Sequence, residues 1–326
     1  MIRMALIGCG SVSRDHLTAL RTLRDRFKLE WVVDVNEEAA RRVAGKWGCR
    51  WTTDYRRALD DHEVDAVDIA TPHHLHAEMA VASAEAGKHI FLEKPMATTL
   101  EDADRIIEAA ERAGVVLMVG YVFRYRPAFR MLHDMVEEGR YGRPFLAHGL
   151  MEVYGPHFLA PWMKRRDQLG GGALFSAGGH LLDLMIWNFG EVKRAFSLGE
   201  NKMLDMEGED TAVAGFLFEG GVLGNIIETW AVKHNRYVGL LEVYCEEAVL
   251  RASLGGWPPD VRTRLVVYGE KEEVLVDRPG GWEFDGEFLH FAECIEEGKV
   301  PLTDGREARK SLEGILMAYR TEELIR

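Results

Sequence analysis

Cysteine is scarce in this sequence: Cys9, Cys49, Cys245 and Cys294 are the four among 326 residues, and no Cys-x-x-Cys pair occurs. That spacing argues against a disulfide frame or a cysteine-based zinc site and suits reduced thiols. Long apolar runs are lacking too. The best candidate, around Leu181 to Phe189, is interrupted by Asp183 and falls short of the ~20 residues that a bilayer span needs. Met1 to Ile7 runs directly into Gly8-Cys9-Gly10 instead of a cleavable signal, so the expected location is cytoplasmic. Positive charge is in deficit, with 40 Lys and Arg against 53 Asp and Glu. The net charge of −13 would repel a nucleic acid or an anionic membrane at long range, and neither is expected as a partner. The short basic groups Lys164-Arg165-Arg166 and Arg41-Arg42 read as solvated faces. No internal repeat is found.

What is present is ordinary globular material, 47% hydrophobic and 29% charged, in a chain too long for one core. The expected class is α/β: a Rossmann-type doubly wound parallel sheet over 1–122, then an α/β domain over 123–326 with a large, mainly antiparallel open sheet. In the first part, strands are expected at Arg3–Ile7, Trp31–Val33, Ala66–Ala70, His89–Leu92 and Val115–Val119. Leu100, Ala103, Ile106, Ile107 and Ala110 recur at helical spacing, with Thr98 and Glu101 as a capping box and Gly114 as the stop. In the second part, helices are expected around Ala128–Glu137, His180–Phe189 and Arg306–Leu324. Strands Val213–Phe218 and Leu223–Thr229 are joined by the hairpin Glu219-Gly220-Gly221. Helices on one sheet face would leave the other open to a partner.

Gly8-Cys9-Gly10-Ser11-Val12-Ser13 follows the first strand and opens a helix, the context a dinucleotide fingerprint requires. Gly8 permits the turn, and Gly10 lets the backbone approach a pyrophosphate. Ser11 and Val12 lead into the helix end that attracts the anion. Asp34 ends the second strand; its carboxylate would accept ribose hydroxyls and repel a 2′-phosphate, so NAD is expected over NADP, with Arg41 and Arg42 as counter-evidence. Thr71-Pro72-His73-His74-Leu75-His76 follows another strand at the ligand-binding sheet edge. No carboxylate or cysteine joins its histidines at metal-ligand spacing, so Thr71, Pro72 and His76 are assigned to cofactor contact and no metal is expected. Glu93-Lys94-Pro95 ends a further strand, with proline fixing the direction of the lysine. In the second part, the small residues of Gly170–Gly179 would allow close approach of a ring-shaped ligand, and His180 and Asp183 would share one helix side.

Together these segments resemble the Gfo/Idh/MocA family over nearly the whole chain. The likeness rests on Gly8-x-Gly10, Asp34, Thr71-Pro72 with His76, Ala86-Gly87-Lys88-His89 leading to Glu93-Lys94-Pro95, Gly120 to Arg130, Gly170-Gly171-Gly172 and Gly179-His180-x-x-Asp183. The resemblance implies an NAD-dependent oxidoreductase acting on a carbinol carbon of a sugar, sugar derivative or cyclitol, assembled as a homodimer or homotetramer through its C-terminal sheet. It also implies that Lys94 and His180 are catalytic at one nicotinamide: His180 accepts the hydroxyl proton, its ordinary pKa of about 6.5 suiting reversible transfer, and Lys94 stabilises alkoxide character. Glu93 is placed near the ribose or the lysine, and Glu93 and Lys94 are both counted among the cofactor contacts. Ser176 stands where many polyol dehydrogenases of the family carry Asp, and Cys245-Glu246-Glu247-Ala248 replaces a glycine-containing turn. Tyr154, His157, Trp162, Arg165 and Ser176 are candidate substrate contacts. Two other functions compete: a glycosidase using tightly held NAD for transient oxidation, and a non-catalytic cofactor-binding regulator.

Overall fold

The structure, a computed structural model, describes residues 1–234, 236–256, 261–280 and 283–325. The chain divides into two compact units, Met1–Tyr121 with Glu283–Arg309, and Val122–Trp282 with Lys310–Arg326. The first division falls one residue before the expected one at 122. The expected unbroken second domain over 123–326 is corrected, because Glu283–Arg309 belongs with the first unit.

In the first unit, strands β1 (Ile2–Ile7), β2 (Phe27–Val33), β3 (Arg50–Thr52), β4 (Ala66–Ile69), β5 (His89–Leu92) and β6 (Leu117–Val119) form one sheet in the order β3-β2-β1-β4-β5-β6. Every pairing in it is parallel. Their connections carry helices α1 (Ser13–Thr22), α2 (Glu37–Trp47), the short α3 (Arg56–Leu59), α4 (His76–Glu85) and α5 (Leu100–Ala113). Helices on both faces explain why β4 is buried at all four of its residues. The N-terminus of α5 is capped one residue later than expected: Thr99 accepts the Asp102 amide, while Gly114 ends the helix with φ 65°. Two adjacent threonines precede this helix, and sequence spacing alone does not choose between them.

The second unit contains α6 (Pro127–Glu137), the short α7 (Arg166–Leu169), α8 (Gly179–Phe189) and an eight-stranded sheet. Its strands are β7 (Pro144–Glu152), β8 (Val192–Glu200), β9 (Thr211–Phe218), β10 (Leu223–Thr229), β11 (Tyr237–Cys245), β12 (Val249–Gly255), β13 (Arg262–Tyr268) and β14 (Glu272–Pro279). The order is β14-β13-β12-β11-β7-β10-β9-β8, antiparallel throughout except where β7 lies parallel to β10. Leu181, Leu182, Leu184 and Met185 of α8 have no exposed surface, and Leu181 and Met185 lie against Gly149 of β7. Each fully buried side chain of this kind contributes about 1.5–3 kcal/mol. The expectation that Asp183 breaks the apolar run needs correction. Arg166–Phe189 is long and apolar enough to cross a membrane by length and composition, and 89% of its most apolar window is buried inside the protein. The last helices, α9 (Asp285–Glu297) and α10 (Gly305–Ile325), complete the chain.

Candidate active site

The nucleotide end is built by a close approach of two strand ends. Gly8 has φ 105°, and a Cβ there would lie 2.3 Å from the Ala70 carbonyl oxygen, so only glycine lets the loop after β1 rest against the end of β4. The same contact puts Gly8 beside Thr71. Asp34 reaches across from the end of β2: Oδ2 accepts the Cys9 amide at 2.7 Å and Oδ1 the Asn36 amide at 2.8 Å. Burial, then the Asp34 charge, pushes the Cys9 thiol up to about 12, so it is not a thiolate at neutral pH. Gly10 has nothing within 4 Å of the place a Cβ would take, and Val12 caps α1 without a side-chain hydrogen bond. An open glycine before a helix N-terminus with no side-chain cap fits a pyrophosphate, which Gly8, Gly10, Ser11 and Val12 would meet with backbone while Asp34 would lie toward the ribose. Arg41, counter-evidence to NAD in the sequence, lies over the Trp51 ring at 4.6 Å and pairs with Glu37 at 2.5 Å.

Lys94 emerges from the end of β5 at the same sheet edge, joined to Pro95 by a cis peptide bond. Two residues expected to touch cofactor serve this turn from behind. His76 has no exposed surface; its Nδ1 lies 2.9 Å from the Pro95 carbonyl oxygen and its Nε2 2.9 Å from that of Thr71. Burial lowers its pKa, and a neutral ring donates to one of the two oxygens. Glu93, 7% exposed, spends Oε1 on His16 at 3.1 Å and Oε2 on the Lys94 amide at 3.1 Å. The His76 side chain thus spends both nitrogens on backbone carbonyl oxygens of this edge, and Glu93 lies at the lysine, one of the two places expected for it. Thr71 and Pro72 stay partly exposed at the edge.

Sequence reasoning missed His16 and Asp68. His16 sits on the buried side of α1 with Nδ1 3.0 Å from each Asp68 oxygen. The available signal was Asp68 itself, an acid inside the apolar run Ala66–Ile69, because a buried carboxylate demands a partner.

In the second unit, Leu174–Gly178 forms a π-helical turn leading directly into α8, a distortion frequent at functional sites. It carries Ser176, and α8 carries His180; both are buried, at 5% and 6% exposure. The His180 ring lies 5.0 Å from that of Phe123, tilted 31°. Asp183, one turn along the same helix, pairs with Arg124, whose Nε and Nη2 donate to its two oxygens at 2.8 Å each, with both side chains 1% exposed. The glycine run also differs from its expected role. A Cβ on Gly172 would lie 2.3 Å from the Glu209 carbonyl and carboxylate oxygens, so the small residue admits this protein's own Glu209. Tyr154 and His157 meet edge to face at 4.8 Å, and Trp162 packs on the apolar cluster of Leu169, Ala173 and Trp230. Arg165 is held by Glu207 at 2.9 Å and Asp167 at 3.5 Å.

A doubly wound sheet with strand order β3-β2-β1-β4-β5-β6 and an open glycine turn at its carboxyl edge defines a dinucleotide-binding protein. Comparison with known proteins agrees: residues 2–121 match the family model described as "Oxidoreductase family, NAD-binding Rossmann fold", and residues 129–251 match the "GFO/IDH/MocA C-terminal domain". The chain belongs to the Gfo/Idh/MocA family and is an NAD-dependent oxidoreductase. It is 31% identical over 236 residues to 1,5-anhydro-D-fructose reductase of Ensifer adhaerens, covering 72% of this chain and 71% of that one. It is 27% identical over 320 residues to scyllo-inositol 2-dehydrogenase (NAD(+)) of Bacillus subtilis, covering 96% and 91%. Among solved structures, the WlbA dehydrogenase from Bordetella pertussis in complex with NADH and UDP-GlcNAcA superposes with a TM-score of 0.85 at 27% identity, covering 100% and 97%.

Proposed function

We propose that this protein interconverts a secondary alcohol and its ketone on a sugar, sugar derivative or cyclitol. The observation that carries the reading is the placement of Lys94 at the end of β5, on the same edge of one parallel sheet as the Gly8–Gly10 turn and Thr71. A cation at that edge meets the oxygen whose carbon exchanges hydride. The relatives point the same way, since their names specify an anhydrofructose and an inositol as substrates. NAD, when bound, accepts or returns the hydride. Lys94 Nζ stabilises negative charge as it develops on the substrate oxygen. His180, against Phe123, receives the hydroxyl proton in the oxidative direction and returns it in the reductive one. Ser176 offers the substrate a neutral hydroxyl, which donates or accepts a hydrogen bond without a charge.

The protein acts as a homo-oligomer in this reading, with the uncovered face of the second sheet as the contact. Phe196 and Leu198 of β8, Val213 of β9 and Leu223 of β10 share the face turned away from α8, and they are 44–57% exposed. An apolar patch of this kind marks an interaction surface.

A dehydrogenase screen tests the reading. NADH absorbance is followed with polyols, aldoses, amino sugars and sugar acids, with NAD and NADP supplied separately. Steady turnover with at least one polyhydroxylated substrate is the expected result. Glycoside cleavage with no net NADH, or cofactor binding with no turnover on any of these classes, defeats it.

A further inference from the structure

His16, Asp68 and Glu93 form a buried ion cluster inside the first unit, behind the Lys94 turn, and neither His16 nor Asp68 has been assigned a role above. His16 and Asp68 are fully enclosed, and Glu93 is 7% exposed. Imidazole Nδ1 faces the Asp68 carboxylate at 3.0 Å, and Nε2 faces Glu93 Oε1 at 3.1 Å. Both nitrogens thus point at acceptors, and only an imidazolium donates from both. The rings of Phe91, Phe284 and Phe288 surround it at 5.0–5.6 Å between centroids. Burial opposes the charge on His16, but the Asp68 carboxylate and then that of Glu93 outweigh it and raise the pKa well above its ordinary value.

The cluster has a direction. Asp68 lies in β4, His16 in the second turn of α1, and Glu93 at the end of β5, where its second oxygen accepts the Lys94 amide. The far side of Glu93 is closed by Gly120, whose added Cβ would sit 3.1 Å from Oε1. The backbone that begins the Lys94 turn is therefore tied through one carboxylate to the helix whose N-terminus faces the nucleotide. A carboxylate buried this deeply without a cation would be driven to pick up a proton and would lose its grip on the chain.

We propose that His16 is a positioning residue for the reaction: clamped between Asp68 and Glu93, it fixes the backbone that aims Lys94. The inference rests on the reading of Lys94 as the group that acts on the substrate oxygen. Misplacement of a reacting group by about 1 Å costs up to about a hundredfold in rate, so the effect belongs in turnover and not in cofactor affinity. Because His16 acts through Lys94, its effect should vanish once Lys94 is gone.

The experiment measures kcat with a substrate found by the screen, and the NAD dissociation constant by fluorescence, in the full-length wild type and in His16→Gln, Asp68→Asn, Lys94→Ala and the two doubles with Lys94→Ala. Glutamine carries no positive charge and donates from one nitrogen instead of two opposed ones, while Asp68→Asn leaves the histidine in place and serves if His16→Gln does not fold. The expected result is a loss of about tenfold to a hundredfold in kcat for either single change, with NAD affinity within about twofold of wild type. In the Lys94→Ala background the same changes should cost less than about twofold. An equal loss in both backgrounds, or no loss in either while Lys94→Ala alone is impaired, overturns the positioning role. Full turnover of Lys94→Ala overturns the reading of Lys94 instead, and this inference with it.

Discussion

The imidazole of His180 rests on the ring of Phe123 at 5.0 Å between centroids, and Phe123 is stacked in turn on Phe129 at 5.0 Å with only 9° between planes. An imidazole held this way has its plane set by packing, while the proton transfer proposed for it would belong to its nitrogens. The two contributions separate by substitution. His180→Ala should lower kcat by about a hundredfold or more. Phe123→Leu keeps the imidazole and removes ring support worth about 0.5–1.5 kcal/mol, so kcat should fall only about twofold to tenfold. Steady-state kinetics of both variants, with NAD binding checked by fluorescence, decides it; a Phe123→Leu loss as large as that of His180→Ala would assign the phenyl ring more than support.

Asp34 closes onto the glycine turn through the Cys9 amide at 2.7 Å, so its carboxylate both shapes the loop and sets its charge. Asp34→Ser should raise KM for NAD and lower the NAD-to-NADP ratio of kcat/KM by about tenfold, equivalent to ~1.4 kcal/mol. An unchanged ratio would remove Asp34 from cofactor discrimination.

The pair Arg124–Asp183 is buried on both sides, and Ser311 adds a hydroxyl at 3.3 Å from the same carboxylate. Arg124→Met strands an uncompensated charge and should cost about 3–5 kcal/mol, whereas Arg124→Leu with Asp183→Leu, which removes both charges, should cost less. Urea unfolding followed by near-ultraviolet circular dichroism reads the difference. Equal losses would mean that the pair's packing, and not its charge balance, matters.

Local requirements were legible in the sequence, and long-range ones were not. The Gly8 turn could be read because the backbone alone demands glycine there, and Leu223–Thr229 because its alternation and the Gly220-Gly221 turn lie side by side. His16 could not be paired with Asp68 and Glu93, which are 52 and 77 residues further along and meet it only through parallel crossovers. The same limit hid the parallel pairing of β7 with β10. It also hid the unit to which Glu283–Arg309 belongs, since an amphipathic pattern says that a face is buried and not against what. Gly171 and Gly172 looked like room for a ligand because Tyr319 and Glu209, which fill that space, come from distant parts of the chain.

Those occupants give a pH prediction. Tyr319 donates to Glu209 Oε1 at 2.6 Å and accepts the amides of Gly172 at 3.3 Å and Phe175 at 3.1 Å, while the Leu174 amide donates to Glu209 Oε1 at 3.1 Å. Burial raises the Glu209 carboxyl above its ordinary value of 4.5, although the Tyr319 hydroxyl pulls it back. A group whose pKa is higher folded than unfolded contributes its stability in full below the unfolded value and loses it as pH rises through the folded one. Glu209→Gln keeps an acceptor for Tyr319 and Leu174 but does not titrate. The stability of wild type relative to this variant should therefore be greatest near pH 4, fall as pH rises above 4.5, and then level off. Tyr319→Phe removes the hydrogen bond that favours the carboxylate, so in that background the decline should extend to higher pH. Urea titrations of the four proteins (wild type, each single variant and the double) between about pH 4 and pH 8 test both statements. A wild-type advantage that grows with pH instead would mean that Glu209 is held as a stabilised carboxylate and that the amides around it outweigh its burial.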